Sequence, residues 1–352
     1  MRPNSTVSRR GFLTRSAAAT ATLLAAPHLL AQDKSGSRPA IIGTGEHRYE
    51  CHHGWGELPS HLKWGETHGV GIDAQGFIYI KHNTAPSGKP HQDAIVVFDP
   101  DGKFVRSFGD EYSSAGHGLD IRKEGKDEFL YLCSTWGRNC VTKTTLTGEI
   151  VWTASLPWES GVYDEKKNFV PTNVAFAPDG GVYVADGYGS NYIHRYNKDG
   201  RWLQVWGGTG TEPGKFKTPH GLWWDSRCNL LCVCDRANAK LQYFTAEGKY
   251  VSEVTGLLFP AHLDIRGGVM LCPDLHARVT LLDKDNKPIV HLGDDPEWRK
   301  QVLDGFKIRT QPDKWQAGKF VHPHDACFDS QGNIFVVEWV STGRVTKLRK
   351  LS

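Results

Sequence analysis

Gly214-Lys215-Phe216-Lys217-Thr218-Pro219-His220-Gly221 and Gly318-Lys319-Phe320-Val321-His322-Pro323-His324-Asp325 are two settings of one eight-residue phrase. Each is followed by an apolar run, a turn and a second run: Leu222-Trp223-Trp224-Asp225 then Leu230 to Asp235, and Ala326-Cys327-Phe328-Asp329 then Ile334 to Glu338. The frame returns at Thr67-His68-Gly69-Val70 with Phe77 to Ile80, and at Gly116-His117-Gly118-Leu119 with Phe129 to Cys133. It returns again at Pro171-Thr172-Asn173-Val174 with Val182 to Asp186, and in a degenerate copy from Pro260-Ala261-His262-Leu263 to Val269 and Cys272. Third and fourth strands follow across Asp-Gly turns, as in Ala94 to Phe98, Asp101-Gly102 and Phe104 to Phe108. Such turns between alternating runs mark hairpins. Four short antiparallel strands recurring roughly every 40 to 60 residues are propeller blades, so six copies predict an all-β, six-bladed β-propeller.

The sixth unit runs out of chain after three strands, near Ala326, Ile334 and Val345 to Leu348. Arg48-Tyr49-Glu50-Cys51-His52-His53-Gly54-Trp55 precedes the first unit and reads like a fourth strand. The expectation is an N-terminal strand closing the last blade and removing an exposed edge. One insertion breaks the repeat between Leu292 and Phe320. Asp295 followed by Pro296 is a helix start, so a short surface helix is expected there.

Hydrophobic residues are 39% and charged residues 23% of the 352, which suits a globular core and argues against disorder or a coiled coil. No apolar run of about 18 residues follows the N-terminal region, which argues against a multi-span membrane protein. The formal charge is +3, but four of the 42 basic residues (Arg2, Arg9, Arg10 and Arg15) lie in the first 31 positions. Without them 38 basic residues face 39 acidic ones, so no nucleic-acid surface is expected. That segment carries Ser8-Arg9-Arg10-Gly11-Phe12-Leu13, an Ala-rich run from Ala17 to Ala26, and Leu29-Leu30-Ala31. It reads as a twin-arginine signal peptide over residues 1–31, with the propeller over 32–352. The expected location is periplasmic or secreted, with no membrane attachment after cleavage. Of the eight cysteines, most sit in apolar strand runs and read as buried thiols. Cys133 and Cys140, flanking a turn, are the best candidate pair.

The residue before the first strand of each unit is His68, His117, Asn173, His220, His262 or His324. The innermost strand of a propeller lines its central channel, so these six positions form a ring. Neutral imidazole is a common ligand for zinc, copper, iron and nickel. Units 2, 4 and 6 contribute His117, His220 and His324, related by approximate threefold symmetry; three imidazoles with an open fourth position describe a catalytic zinc site. The other ring members, His68, Asn173 and His262, are less uniform. The plainer alternative is that each imidazole only hydrogen-bonds within its own blade as a repeat signature.

The stretch from Phe169 to Phe244 resembles the catalytic core of the peptidyl-hydroxyglycine amidating lyases, a family close to the NHL-repeat propellers. The resemblance rests on Pro171-Thr172-Asn173-Val174-Ala175, Asp186-Gly187-Tyr188, Gln204-Val205-Trp206-Gly207, Pro219-His220-Gly221-Leu222, Leu231 to Asn238 and Pro323-His324-Asp325. It implies a zinc held by His117, His220 and His324. It also implies a structural calcium held by the carbonyls of Val70 and Leu119 and the carboxylate of Asp325. Tyr188 would take the substrate's hydroxyl proton, and Arg236 would belong to the substrate site. The reaction implied is cleavage of a C-terminal α-hydroxyglycine to a peptide amide and glyoxylate. Zinc would act as a Lewis acid, and a guanidinium grips a terminal carboxylate bidentately. A second family arginine falls at His82, within Tyr79-Ile80-Lys81-His82-Asn83; Lys81 carries a charge there but lacks the fork geometry.

Two readings of function follow. One is an exported, metal-dependent lyase acting on a small-molecule or peptide substrate. The alternative is a noncatalytic NHL-repeat propeller that binds a protein or glycan partner, with Trp55, Trp64, Trp158, Trp298 or Trp315 as anchors. A calcium-dependent lactonase on the same fold would want oxygen ligands, which an imidazole-rich ring does not supply.

Overall fold

The computed structural model describes residues 39–84 and 92–351. The expected signal segment, 1–31, lies outside the described residues. Six sheets follow one another around a ring. Blade 1 consists of Glu66–Ile72, Ile78–Asn83, Ile95–Phe98 and Phe104–Phe108, and blade 2 of Gly116–Glu124, Asp127–Ser134, Cys140–Thr145 and Ile150–Ala154. Blade 3 is Val174–Phe176, Val182–Ala185, Tyr192–Tyr196 and Trp202–Gly207; blade 4 is Pro219–Asp225, Leu230–Asp235, Lys240–Phe244 and Tyr250–Val254. Blade 5 is Asp264–Arg266, Val269–Asp274, Arg278–Leu282 and Pro288–Leu292. Blade 6 has five strands: Pro323–Phe328, Ile334–Glu338 and Arg344–Lys350, then His47–His53 from the start of the chain, and outermost Ala40–Thr44. His47–His53 pairs antiparallel with Arg344–Lys350, Cys51 opposite Leu348. The fifth strand has no counterpart in the repeat.

Within a blade, alternate residues of one strand face opposite neighbours, so both faces must be apolar. In blade 4, Leu231 and Val233 pack with Tyr183 and Ile193 of blade 3. Cys232 and Cys234 face the other way, onto Met270 and Cys272 of blade 5. The ring closes where Val70, Ile78 and Ile80 of blade 1 meet Phe335, Val337 and Val345 of blade 6. Fully burying each such aliphatic side chain is worth about 1.5–3 kcal/mol. All eight cysteines are free thiols. Cys133 and Cys140 are therefore not a disulfide; they end adjacent paired strands, where Cys140 stands opposite Ser134 and Cys133 opposite Val141.

The outer hairpins share one turn. An Asp, Asn or Thr accepts backbone N–H groups two and four residues on, as Asp73 does from Gln75 and Phe77, Asn197 from Asp199 and Arg201, and Asp329 from Gln331 and Asn333. The residue between those donors sits at positive φ, which explains Gly76, Gly200 and Gly332.

The insertion forms an α-helix, Pro296–Leu303, capped by the Asp295 side chain on the N–H groups of Glu297 and Trp298. Two 3-10 turns follow, Lys307–Thr310 and Pro312–Lys314. Trp298, expected as an exposed anchor, is instead buried with Val302, Ile308, Val321 and Val340, its indole N–H donating to Phe320 O at 2.5 Å. The insertion thus has its own small core, seated on the ring at blades 5 and 6.

Candidate metal centre

In four blades the pairing of the innermost strand slips at the repeated histidine. Register jumps from Pro219 to Leu222, from Gly116 to Leu119, from Pro323 to Asp325 and from Thr67 to Gly69. A bulge re-aims the side chain it carries, and here it sends His220, His117, His324 and His68 into the channel. The glycine after the histidine has a different task. A Cβ on Gly118 would stand 2.4 Å from Asn173 Oδ1 and 2.6 Å from Thr172 O, and one on Gly221 would stand 2.5 Å from His262 Cα. The His-Gly pair therefore turns an imidazole inward while letting the next blade's inner strand close on the backbone.

The rings of His117, His220 and His324 form a near-equilateral triangle, with centroids 4.8, 4.7 and 4.8 Å apart. Each Nδ1 is tied to a carbonyl of the next blade: His117 to Thr172 O at 2.5 Å, His220 to Ala261 O at 2.6 Å and His324 to His68 O at 2.8 Å. A carbonyl only accepts, so each Nδ1 carries the proton and each Nε2 presents a lone pair. Burial lowers the pKa of all three rings well below the ordinary value, which keeps them neutral. Anchored neutral imidazoles with converging lone pairs are the donor set of zinc or a similar divalent ion.

The phenol oxygen of Tyr188 lies 3.2 Å from His117 Nε2 and 3.1 Å from His220 Nε2. One hydroxyl proton cannot serve both lone pairs, so a shared cation fits the donors present. His68 joins from the fourth side, its Nδ1 3.4 Å from His324 Nε2. Ligand nitrogens of His68, His117 and His324 lie within 4.8 Å of one another, a group that leaves out His220; His220 joins the centre through its ring packing on His117 and His324 and its contact with Tyr188.

Tyr188 is presented by a tight turn. Asp186 accepts from the N–H groups of Val170 and Ser190 at 2.7 Å each and from the Tyr163 hydroxyl at 2.9 Å. A Cβ on Gly187 or Gly189 would fall within about 2 Å of neighbouring atoms. Arg236 Nη1 donates to the Tyr188 oxygen at 3.1 Å, and the guanidinium lies 5.2 Å from the Tyr188 ring centroid and 4.9 Å from that of Phe259. The Tyr188 oxygen is the hydrogen-bond partner of Arg236 Nη1, and Arg236 Nε is buried without one. A guanidinium on a cavity wall can receive a carboxylate.

Whereas His220 is fully buried and is not among the residues lining it, His68, His117, His324, Tyr188, Arg236 and Phe259 line one cavity of about 590 Å³ that also takes in Trp136, Phe306, Arg309 and His322. Sequence reasoning passed over all four. Trp136 is 63% exposed and stacks on Tyr188 at 5.5 Å. His322 was legible in the Val-His-Pro-His-Asp doublet; its Nδ1 is bound to Leu275 O at 2.7 Å and its buried Nε2 has no partner.

Three of the expected residues stand elsewhere. His82 is fully buried and does not line the cavity. Its Nδ1 accepts from Gly65 N at 3.1 Å and its Nε2 bonds Asp93 O at 3.0 Å, so neither nitrogen is left for a substrate, and the family arginine has no stand-in at this position. Neighbouring Lys81 is buried too and spends its ammonium on Cys133 O at 2.6 Å. Asn173 turns its Oδ1 to Val174 N at 3.1 Å. His262 lies in a separate acidic pocket with Val70, Asp120 and Asp264.

That pocket is where the family resemblance seats calcium. Asp325 is already committed there: Oδ1 to His262 Nδ1 at 2.6 Å and Ala326 N at 2.7 Å, Oδ2 to Val70 N at 3.0 Å. Burial alone would lower the His262 pKa, but Asp325 and Asp120 outweigh it and raise it to about 9. An imidazolium thus supplies the positive charge among these carboxylates. Asp120 Oδ2 is buried there without a hydrogen-bond partner, and no step is derived through a calcium ion.

No family model matches the chain. Sequence relatives are amidating enzymes and NHL-repeat proteins. The peptidyl-glycine alpha-amidating monooxygenase B of Xenopus laevis is 29% identical over 191 residues, 51% of this chain and 21% of that protein. The probable peptidyl-alpha-hydroxyglycine alpha-amidating lyase pgal-1 of Caenorhabditis elegans is 30% identical over 156 residues, 43% of each chain. The human NHL repeat-containing protein 3 is 27% identical over 203 residues, 56% of each. The chain thus spans about a fifth of the amphibian protein it matches and about half of the other two. Among solved structures, the virginiamycin B lyase of Staphylococcus aureus superposes with a TM-score of 0.53 at 14% identity, over 86% of this chain and all of that one. A gluconolactonase of Xanthomonas campestris superposes with a TM-score of 0.57 at 14% identity, over 89% and 95%. Both share the fold.

Proposed function

We propose that this propeller is a metal-assisted lyase that splits a C-terminal α-hydroxyglycine, or a closely related carbinolamide, into an amide and glyoxylate. The observation that carries the proposal is the meeting of three Nδ1-anchored imidazoles, a phenol touching two of them and, touching the phenol, an arginine with no carboxylate partner among the described residues. The sequence relatives named as amidating lyases support the same chemistry.

His117, His220 and His324 would hold the metal, which when bound supplies Lewis acidity to the substrate oxygen. Arg236 receives the substrate carboxylate and fixes the hydroxyl-bearing carbon beside Tyr188. Tyr188 would be the base that takes the hydroxyl proton. The carbon–nitrogen bond then breaks, the hydroxyl oxygen becomes the aldehyde oxygen of glyoxylate, and the departing amide nitrogen takes up a proton. Trp136, stacked on Tyr188, limits the phenol's freedom and shields it from water. Calcium has no part in this reading. Export belongs to it, on the strength of Ser8 to Leu13 and the Ala-rich run behind them.

The test is glyoxylate release from an N-acyl-α-hydroxyglycine by the zinc-loaded chain. Enzyme-dependent glyoxylate that Tyr188→Phe abolishes is the expected result. No glyoxylate from a fully metallated sample would remove this reaction.

A further inference from the structure

His68 behaves unlike the three histidines it accompanies. They spend Nδ1 on the next blade's carbonyl, whereas His68 turns Nδ1 inward to 3.4 Å from His324 Nε2. Its Nε2 is buried without a hydrogen-bond partner and points outward, 3.7 Å from Glu66 Oε2. Glu66 is itself fixed: Trp339 Nε1 donates to Oε2 at 3.1 Å, and Arg309, from the insertion, pairs with Oε1. The Arg309 guanidinium lies 3.6 Å from the centroid of Trp339.

Two tautomers are open to a neutral His68. With the proton on Nδ1, the Nε2 lone pair would face the Glu66 carboxylate, acceptor against acceptor, in a buried site. With the proton on Nε2, that hydrogen faces the carboxylate and the Nδ1 lone pair faces the centre. The second arrangement turns a hydrogen toward Glu66 but sets two lone pairs, His68 Nδ1 and His324 Nε2, opposite each other. A cation between them removes the repulsion. Their separation fits one: ligand nitrogens about 2.0–2.1 Å from a tetrahedral zinc lie about 3.3–3.4 Å apart.

We propose that His68 is a fourth imidazole ligand of the centre, oriented from behind by Glu66, which Trp339 and the insertion's Arg309 hold in place. The proposal rests on the metal reading above and adds to it: four nitrogens would hold the resting ion, and the substrate oxygen would enter as an additional ligand. A carboxylate behind a ligating imidazole is the usual device for fixing its tautomer. One duty of the insertion is then to brace a ligand.

X-ray absorption at the zinc edge of the full-length, zinc-loaded protein tests this without a mutation. The expected spectrum fits four imidazoles, and three imidazoles plus oxygen would overturn the proposal. Zinc affinity, measured by competition with a chromophoric chelator, gives the second readout. His68→Ala is expected to weaken binding at least 100-fold and Glu66→Gln about 10-fold or more, second-sphere losses commonly being about 10–100-fold. His68→Ala binding zinc within about threefold of the parent, while His220→Ala loses it, would overturn the fourth ligand and leave the trio standing. A parent chain that binds no zinc would overturn both.

Discussion

The chemistry of the centre is decided by which atom of each ring is already spoken for. Nδ1 of His117, His220 and His324 is held by a carbonyl, so Nε2 is free; both nitrogens of His82 are occupied, so it has nothing to offer. Two predictions belong at this scale. Tyr188→Phe should lower kcat about 100- to 10,000-fold, the range for loss of a general base, with zinc affinity nearly unchanged, while Arg236→Ala should act mainly through KM; steady-state kinetics on one metallated preparation separates them. His82→Arg should not raise activity. It places a charge in a buried, hydrogen-bonded pocket and should cost about 3–5 kcal/mol of unfolding free energy, read by denaturant titration. The threefold pattern of histidines was legible because a repeat makes equivalent residues comparable. The orientation of His68 and the fate of His82 were not, because they depend on partners such as Glu66 and Asp93 that no motif links to them.

At the scale of elements, the bulged inner strand is the working unit. It aims an imidazole inward and, through the following glycine, admits the neighbouring blade. Gly118→Ala should therefore destabilise by about 1–3 kcal/mol, as overpacking does, and should weaken zinc binding, since its Cβ meets the Thr172 carbonyl that anchors His117. Gly268→Ala, with nothing within 4 Å of its Cβ, should stay within about 0.5 kcal/mol. Equal losses in the two variants would contradict this account of the His-Gly pair. Strand order and the helix start at Asp295 and Pro296 could be read from turn chemistry and alternation. The fifth strand, Ala40–Thr44, could not, because it lies outside the repeat and its apolar pattern is short. Trp298 was misplaced for a related reason: a tryptophan in a charged stretch looks exposed until the small core of Val302, Ile308 and Val340 is seen beneath it.

At the scale of the molecule, a ring of six inter-blade cores buries an unusual number of neutral histidines. Burial holds His53 and His82 at about 4 and His194 at about 3, against an ordinary 6.5. Their folded pKa lies below the unfolded one, so the unfolded chain binds the extra protons. The stability they contribute is full above pH about 6.5 and drains away as pH falls toward 4, by up to about 1.4 kcal/mol per unit for each ring. The buried carboxyls Asp186 and Asp264, raised by burial to about 7 and about 6, act in the opposite sense, but the buried histidines outnumber them. The denaturation midpoint of the metal-free chain should fall steadily from pH 7 to pH 5, and an unchanged midpoint would contradict the assignment of neutral rings. The ring architecture was legible from six returns of one phrase. The reassignment of Asp325 to His262 was not, since it depends on two blades meeting at the channel.

The central claim is that His117, His220 and His324 converge on one cation, and elemental analysis of the purified chain with its three single-alanine variants tests it most directly. The account predicts about one zinc, or a similar divalent ion, per parent chain, lost from each variant while its β-sheet circular dichroism persists. A folded parent chain that takes up no transition metal, or a His220→Ala variant that keeps its full complement, would contradict it.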